Sequence, residues 1–256
     1  MPFTSVNGLK TFYEAKGGGK PLILVHGAGG ASTYWFNQLS GLSSKLGVIA
    51  IDLPGHGKSE PLKGNPTIEQ YAEHVDAFIK EMKLSKAVLL GHSMGGLVVQ
   101  QIALKHPEIL ERLVIVDSSA KFPGRSGSTD LFRRGASFDV NTIASSLFSQ
   151  KTLRKTDAAS LMKQITQGMT PDFALSVLMR DFELGGTADF TGRLKAINVP
   201  TLIVHGADDI LPISFANYLH ENIKGSKLEI IPDAGHMVMM EKPDEFNNAI
   251  LRFIKS

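Results

Sequence analysis

Short apolar runs rich in β-branched residues recur along the chain and alternate with longer stretches of helical periodicity. Five such runs span residues 22–25, 48–51, 87–90, 113–116 and 201–204. Continuously apolar runs are typical of strands buried on both faces, because strands with one exposed face alternate apolar and polar residues. Strands that alternate with helices predict an α/β fold, in which helices cover both faces of a mostly parallel sheet.

Three stretches have apolar residues at helical spacing and predict helices over 67–84, 94–105 and 243–254. Thr67 is a good N-cap residue for the first of them, since its hydroxyl can accept a hydrogen bond from the first turn. Near the N-terminus, Asn7-Gly8 lies between two short alternating runs. This dipeptide predicts a β-hairpin, so the sheet is expected to start with an antiparallel edge.

The alternation stops between residues 120 and 186, where no apolar strand run occurs. The segment has instead the pattern of several amphipathic helices joined by loops. A long stretch without strands inside an α/β pattern indicates an insertion. We therefore predict a core made of residues 1–119 and 187–256, with a helical cap over 120–186.

Length and composition narrow the class of protein. The chain has 256 residues, 43% apolar and 20% charged, which fits one large globular domain or a domain with an insertion. Its net charge is +2, from 27 basic and 25 acidic side chains, which is too close to neutral to indicate a nucleic-acid partner. The absence of cysteine excludes disulfides, thiolate metal sites and a cysteine nucleophile.

The N-terminus lacks the charged start and apolar run of a signal peptide. No apolar run approaches the roughly 20 residues that a membrane-spanning helix needs. We therefore expect no membrane span and a cytoplasmic location. The sequence is compatible with a monomer or a homodimer.

The segment 91–96, Gly-His-Ser-Met-Gly-Gly, directly follows a predicted strand and begins a predicted helix. A Gly-x-Ser-x-Gly sequence in this setting is typical of a sharp turn that presents a nucleophilic serine, here Ser93. Glycines on both sides of the serine allow neighbouring backbone to approach closely. The helix that starts after Ser93 directs free N–H groups toward negative charge that develops there. Ser93 is therefore the predicted nucleophile.

A serine hydroxyl is a weak nucleophile at neutral pH and needs a base beside it. His236 is the best candidate among the eight histidines, because it follows the strand-like segment 227–231 and precedes the last predicted helix. This position lies at the carboxyl edge of the predicted sheet, where the ligand sites of open α/β folds collect. We therefore predict that His236 serves Ser93 as the base.

The third expected member is a carboxylate that follows an earlier strand, in the chain order Ser, Asp, His. Segment 205–212 contains Asp208 and Asp209 side by side, and only one of them can point at His236. Asp117 directly follows the run 113–116 and is a third candidate. We favour Asp209 and keep Asp208 and Asp117 as alternatives.

The segment 26–30, His-Gly-Ala-Gly-Gly, follows the first apolar run. Its small residues allow backbone to approach a reacting carbonyl, so the N–H groups of Ala28 and Met94 are predicted to form an oxyanion hole. A nucleotide-binding glycine loop does not fit, because Ser32 occupies the third glycine position of Gly-x-Gly-x-x-Gly and no Walker lysine follows.

No metal is expected, since the chain lacks His-Glu-x-x-His and similar ligand spacings. Histidines 26, 56 and 92 lie in glycine-rich turns, and we expect them to bind backbone groups rather than to catalyse. The candidates for a substrate pocket are Trp35, Met162, Met169, Phe173, Leu178 and Met179. Packing in the core or inside the cap is the alternative role for all six, and methionine in particular fills irregular apolar gaps.

Together with segment 52–59, Asp-Leu-Pro-Gly-His-Gly-Lys-Ser, these motifs resemble the α/β-hydrolase fold family over essentially the whole chain. The pattern is most similar to small microbial carboxylesterases, meta-cleavage-product hydrolases and enol-lactonases. The resemblance implies an eight-stranded sheet whose second strand is antiparallel, a helical cap after the sixth strand, and no cofactor. The chain departs from the family pattern in the loop between Gly206 and Pro212, which is one residue shorter than usual, and this keeps Asp208 as an alternative acid.

Motifs and resemblance lead us to expect a carboxylesterase-like serine hydrolase for small-molecule esters. Ser93 would form the acyl intermediate, His236 would be the general base and Asp209 the orienting acid. Carbon–carbon bond hydrolysis, lactone hydrolysis and cofactor-free haloperoxidase-like perhydrolysis use the same three residues and stay open. The segment 26–30 lacks the Ser-Gly-Pro-Gly-like sequence common in carbon–carbon bond hydrolases. A hydrolase-like ligand receptor is the alternative from a different class.

Overall fold

Eight strands form one sheet in the computed structural model, which describes residues 2–122, 140–166 and 171–255. They are β1 (Phe3–Val6), β2 (Leu9–Lys16), β3 (Pro21–Val25), β4 (Gly47–Ile51), β5 (Ala87–His92), β6 (Leu110–Val116), β7 (Thr201–Gly206) and β8 (Lys227–Ile231). Their order is β1-β2-β4-β3-β5-β6-β7-β8. β2 runs antiparallel to both neighbours, and all other pairings are parallel. The predicted fold class and its antiparallel second strand are confirmed.

Apolar residues of the parallel strands divide between two cores with a period of two, as strand geometry requires. In β3, for example, Ile23 and Val25 belong to one core, and Leu22 and Leu24 belong to the other. The same division holds in β4, β5, β6 and β7. Burial on both faces explains why these strands have continuously apolar sequences.

Ten α-helices are present in the described part of the chain. They are α1 (Phe36–Gly41), α2 (Ile68–Glu81), α3 (Met94–Lys105), α4 (Val140–Leu147), α5 (Gln150–Leu153), α6 (Ala158–Ile165), α7 (Pro171–Gly185), α8 (Ile213–Asn222), α9 (Val238–Glu241) and α10 (Pro243–Lys255). Residues of α2, α3 and α8 cover one face of the sheet, and residues of α1 and α10 cover the other. None of the described helices is both long and apolar enough to cross a membrane.

The structure contains the helix N-cap and the hairpin turn that short sequence signals predicted. The hydroxyl of Thr67 accepts a hydrogen bond from Gln70 N–H, which confirms the predicted N-cap of α2. Asn7 and Gly8 have φ values of 49° and 83°, as a tight hairpin turn with a primed geometry requires. β6 begins at Leu110, three residues before the apolar run at 113–116. The polar residue Arg112 lies within this extra part of the strand, and its guanidinium group lies over the ring of Phe253 in α10.

Helices α4 to α7 lie between β6 and β7 in the chain, within the segment predicted as a cap. An isolated antiparallel bridge between Lys121 and Asp189 joins the two ends of this segment. The division of the chain into a core and a cap at residues 120 and 186 stays a prediction, and we call segment 120–186 the insertion below.

Candidate active site

The loops that follow β3, β5, β7 and β8 meet at the carboxyl edge of the sheet. The chain places β4 on one side of β3 and then β5 on the other, so the strand order reverses at β3. Open α/β sheets bind ligands at such a reversal, since the adjoining loops diverge and leave a crevice. Ser93 directly follows β5 at this point.

Ser93 connects β5 to α3 without a loop and has a strained backbone, with φ 52° and ψ −118°. A positive φ is uncommon for a residue with a side chain and costs on the order of 1–3 kcal/mol. Two hydrogen bonds hold it in place. Its N–H donates to Val116 O at 2.9 Å, and the Ser118 hydroxyl donates to Ser93 O at 2.7 Å. The turn therefore presents the Ser93 hydroxyl at the edge of the sheet.

Glycines make this turn sterically feasible. A Cβ on Gly95 would lie 2.5 Å from the carbonyl oxygens of Val25 and His26, and a Cβ on Gly27 would lie 2.9 Å from Cβ of Ser93. Both separations are shorter than carbon makes with non-bonded atoms, and the contacted atoms belong to the backbone or to a fixed Cβ. The loop after β3 can therefore pack directly against Ser93 only because its contacts are glycines.

A continuous chain of hydrogen bonds joins Ser93, His236 and Asp209. Ser93 Oγ lies 3.0 Å from His236 Nε2, and His236 Nδ1 lies 2.9 Å from Asp209 Oδ1. A carboxylate only accepts, so Nδ1 carries the proton, and Nε2 is left to accept from the serine hydroxyl. This is the tautomer that a base for Ser93 needs.

The structure separates the three aspartates that the sequence leaves open. Asp209 has a fully buried carboxyl group that accepts from His236 and from Leu211 N–H at 2.9 Å. Asp208 is exposed and is held only by its backbone, whose N–H donates to Ala234 O at 2.8 Å. Asp117 is buried beside Asp209 and accepts from Gly206 N–H at 2.8 Å. Only Asp209 contacts the histidine.

Burial by itself would raise the pKa of Asp209, but the charge and hydrogen bond of His236, with the ring of His205 nearby, hold it below its usual value. Asp209 is therefore an ionised acceptor for His236 at neutral pH. Asp117, His205 and Asp209 are also the one group among the described residues whose side chains lie close enough together to hold a metal ion.

The role of Ala28 and Met94 in an oxyanion hole stays a prediction, which the backbone hydrogen bonds around both residues favour. Met94 is the first residue of α3, so its N–H precedes the first hydrogen bond within the helix. On the other loop, Gly29 N–H donates to Asp181 and Gly30 N–H donates to Gly27 O. In the described part of the chain no acceptor pairs with the N–H of Ala28 between them. Two backbone donors beside Ser93 are thus left for a ligand.

Histidines 26, 56 and 92 bind backbone oxygens, as expected from the glycine-rich turns. His26 Nδ1 donates to Gly27 O and its Nε2 accepts from Leu53 N–H, at 2.8 and 3.0 Å. His92 Nε2 donates to His236 O at 2.8 Å. Burial, together with a neighbouring histidine, lowers the pKa of both His26 and His92 to about 3. Both rings are therefore neutral supports of the site.

Sequence reasoning did not find Asp181, a buried carboxylate of α7 in the insertion. Its Oδ2 accepts from Gly29 N–H at 2.9 Å and from His56 Nε2 at 2.6 Å, and its Oδ1 accepts from Arg180 at 2.9 Å. Burial opposes its ionisation, but His56 and Arg180 hold the pKa of Asp181 below its usual value. The insertion thereby fixes the loop that contains Ala28.

One signal in the sequence marks Asp181. It lies at helical spacing from the buried residues Val177 and Leu184, on the apolar face of α7. An acid on the buried face of an amphipathic helix needs partners, because an unpaired buried charge is costly. The partners themselves lie far away in sequence and could not be read from α7.

A second carboxylate, Glu241 of α9, joins the insertion to the loop of His236. Glu241 Oε1 accepts from Gly235 N–H at 2.7 Å, and its Oε2 accepts from Ser149 N–H at 2.9 Å and from Thr152 Oγ1 at 2.7 Å. Ser149 is the N-cap of α5. The residue before His236 is therefore tied to the start of a helix of the insertion.

The candidate pocket residues differ in burial and in the part of the structure where they lie. Trp35 is fully buried in the core and meets the His92 ring edge-on at 6.4 Å. Met162 is half-buried and packs on the same core, and Met179 is half-buried on α7. Met169 and the side chain of Phe173 lie outside the described residues. A role in binding a substrate stays a prediction for Trp35, Met162 and Met179.

A model of the α/β hydrolase fold family matches residues 20–243, which is most of the chain. The chain belongs to the α/β hydrolase fold family. It is a hydrolase of that family, and the resemblance read from the motifs is confirmed.

Proteins similar to this α/β hydrolase are named for different activities. It is 33% identical over 254 residues to the dihydrolipoyllysine-residue acetyltransferase component of the acetoin cleaving system from Cupriavidus necator, covering 96% of this chain and 66% of that protein. It is 30% identical over 266 residues to the 2-hydroxy-6-oxo-6-(2'-aminophenyl)hexa-2,4-dienoic acid hydrolase of Metapseudomonas resinovorans, covering 98% and 90%. A thermophilic esterase structure from Thermogutta terrifontis is similar with a TM-score of 0.85 at 28% identity, covering 100% and 97%.

Replacing Asp181 by Ala should destabilise this hydrolase by about 3 kcal/mol, because it leaves His56 and the Gly29 N–H without their buried acceptor. His56→Ala and the double variant complete a thermodynamic cycle, measured by urea unfolding. We expect the two losses to be non-additive by about 1 kcal/mol or more, since both variants remove the same hydrogen bond. Additive losses would show that Asp181 and His56 act independently.

Proposed function

We propose that this hydrolase cleaves carboxylic esters of small molecules through an acyl intermediate on Ser93. The observation that carries the proposal is the hydrogen-bonded chain from Ser93 through His236 to Asp209, at a strained turn that presents the serine. Strain at a single residue with a side chain needs a function to explain it, because a relaxed turn would be more stable. No cofactor is needed for this reaction.

In the first half of the reaction, Ser93 Oγ attacks the ester carbonyl carbon while its proton passes to Nε2 of His236. The cationic imidazole is stabilised by Asp209, which stays ionised and holds Nδ1 in place. Collapse of the tetrahedral intermediate breaks the bond to the alcohol oxygen, which takes the proton from Nε2. In the second half, water attacks the acyl carbon while His236 Nε2 takes its proton. Collapse of this second tetrahedral intermediate breaks the bond between the acyl carbon and Ser93 Oγ, which takes the proton from Nε2 as the acid is released.

Negative charge develops on the carbonyl oxygen in both halves. The N–H groups of Ala28 and Met94 would stabilise it, because they are backbone donors at the loop and helix that flank Ser93. Each donor of this kind contributes roughly 3–4 kcal/mol to the transition state. Held in place by Asp181 through Gly29, the loop does not have to rearrange as the charge forms.

Carbon–carbon bond hydrolysis is the second candidate, and the relative from Metapseudomonas resinovorans favours it, since its match spans nearly the full length of both proteins. The same serine, base and acid would serve that reaction. The segment 26–30, His-Gly-Ala-Gly-Gly, instead favours ester cleavage, as explained above. Lactone hydrolysis, perhydrolysis and a role as a ligand receptor are supported only by the shared Ser93, His236 and Asp209.

The substrate class is decided by comparing kcat/KM for p-nitrophenyl esters of increasing acyl length, simple lactones and ring-cleavage dienoates. We expect the highest value for one of the esters, with many turnovers per protein molecule. A dienoate that exceeds every ester would establish carbon–carbon bond hydrolysis instead. A single slow acylation without turnover would indicate a receptor.

Ser93→Ala should lower kcat for the best p-nitrophenyl ester by a factor on the order of 10⁴ or more, because no other group can form the acyl intermediate. Ser119→Ala is the matched control, since Ser119 is a buried serine close to the sheet edge that does not contact His236. The control should keep most of the activity. Turnover close to that of the unchanged protein in Ser93→Ala would contradict the proposed nucleophile.

Asp209→Asn and Asp208→Asn form a matched pair on neighbouring residues. Asp209→Asn should lower kcat by a factor on the order of 10³ to 10⁴, because the amide favours the wrong tautomer of His236. Asp208→Asn should leave kcat within about twofold, since its side chain is exposed and away from the histidine. A larger loss in Asp208→Asn than in Asp209→Asn would exchange their assigned roles.

A further inference from the structure

Behind the pair of His236 and Asp209 lies a second carboxyl group, that of Asp117. It directly follows β6, has a positive φ of 44°, and is fully buried. Its Oδ1 accepts from Gly206 N–H at 2.8 Å, and the backbone N–H of Val238 also faces it. The catalytic cycle proposed above makes no use of Asp117, so its burial beside another carboxylate needs a separate explanation.

Asp117, Asp209 and His205 form a cluster in which buried acceptors outnumber donors. Each of the three contributes one buried atom without a hydrogen-bond partner among the described residues: Oδ2 of Asp117, Oδ2 of Asp209 and Nδ1 of His205. His205 Nε2 donates to Leu211 O at 3.1 Å, so a neutral ring has an acceptor at Nδ1. The cluster would then consist of acceptors alone, each without a donor, although buried polar groups are almost always paired.

The three side chains lie close together, and the carboxyl groups of Asp117 and Asp209 are within reach of a hydrogen bond to each other. His205 Nδ1 lies 3.5 Å from the Asp117 carboxyl group and 3.7 Å from Asp209 Oδ2. One ligand atom from each of the three side chains lies within 4.8 Å of the others. A single proton on one carboxyl group would give a donor to atoms that otherwise only repel.

We propose that Asp117 carries this proton as a neutral carboxylic acid and donates it in a hydrogen bond to Asp209, which makes Asp117 a positioning residue for the triad acid. This assignment rests on the proposed function only in naming Asp209 as the triad acid. The bond holds the second oxygen of Asp209 while the first receives the proton of His236 Nδ1. Asp209 is then fixed at both oxygens.

The choice of Asp117 rather than Asp209 follows from their surroundings. Burial raises the pKa of Asp117 well above its usual value, and the negative charge of Asp209 raises it further. The pKa of Asp209 is lowered, against its burial, by His236 and His205. Two adjacent buried carboxylates cannot both ionise, and the proton stays on the one without a cationic partner. The charged and titratable groups that face Asp117 are Asp209 and His205.

The protonation of Asp117 can be tested by infrared spectroscopy, without an activity assay. The infrared spectrum of the protein at pH 7 should contain the C=O stretch of a protonated carboxylic acid, shifted in D₂O, and Asp117→Asn should lose it. Asp208→Asn, which removes an exposed aspartate, should keep it. Absence of the band, or its persistence in Asp117→Asn, would overturn the assignment even if Ser93 proves to be the nucleophile.

Unfolding measurements give a second readout. Above the usual aspartate pKa, the native protein holds a proton that the unfolded chain has lost, so the stability contributed at Asp117 falls as pH rises toward its raised native pKa. In urea, the unfolding constant of the unchanged protein should rise relative to that of Asp117→Asn between pH 5 and 8, by up to about tenfold per pH unit. A ratio that does not change with pH would contradict a bound proton.

Kinetics test the positioning role. Asp117→Ala should lower kcat about tenfold with little change in KM, because one oxygen of Asp209 loses its donor. Asp117→Asn should recover most of the loss, since its amide can donate to Asp209 while its oxygen accepts from Gly206 N–H. In a plot of kcat/KM against pH, the acid limb is the range in which activity falls as the pH is lowered. Asp117→Asn should leave the position of this limb unchanged.

Two results would overturn the proposal. A shift of the acid limb to lower pH in Asp117→Asn would mean that a negative charge had been removed, so Asp117 would be an anion. Stoichiometric metal that survives dialysis against a chelator and is lost in Asp117→Asn would assign the cluster to a cation. If Asp117→Ala does not fold, the infrared, unfolding and Asp117→Asn measurements still decide.

Discussion

The strained backbone at Ser93 is the constraint on which the rest of the site depends. Its φ of 52° turns the chain from β5 into α3 within one residue, which places the hydroxyl above the sheet and the N-terminus of α3 beside it. The turn is possible only where neighbouring backbone can approach, which explains the glycines at positions 27 and 95. Its cost is offset by hydrogen bonds to β6 and to Ser118, so nucleophile, helix and both flanking loops form one unit.

Buried carboxylates hold the irregular segments around that turn. Asp52 accepts from the N–H groups of Ser32 and Lys58, and Asp181 and Glu241 accept from the N–H groups of loops on either side of Ser93. Loops lack the repeating hydrogen bonds of strands, so their backbone N–H groups need other acceptors. A carboxylate serves well because it has two oxygens, each able to accept more than one hydrogen bond.

Local sequence was sufficient to predict the elements of the fold and to propose a nucleophile. Continuous apolar runs predict strands buried on both faces, and Gly-x-Ser-x-Gly between a strand and a helix indicates Ser93, since both signals depend on near neighbours alone. The choice between Asp208 and Asp209 was harder, because adjacent residues of a loop point in different directions, set by contacts made after folding. For that reason the sequence favoured Asp209 but could not exclude Asp208.

Long-range contacts could not be predicted at all. Asp181 binds Gly29 and His56 across more than a hundred positions of sequence, and no local pattern in α7 names these partners. The state of Asp117 is more remote still, because it depends on which charged groups the fold brings within a few ångströms of a buried oxygen. Sequence motifs indicate which residue types react, whereas the protonation of their supports is a property of the assembled structure.

The insertion contributes hydrogen bonds to the loops on both sides of Ser93. Its carboxylate at Asp181 holds the loop that contains Ala28, and its residues Ser149 and Thr152 share Glu241 with the loop of His236. A movement that separated the insertion from the sheet would leave buried acceptors and donors unpaired on both sides of Ser93, at a cost of about 1–3 kcal/mol for each. The position of the insertion and the arrangement of Ser93 and His236 are consequently coupled, because the hydrogen bonds that the insertion makes also hold the loops beside these two residues.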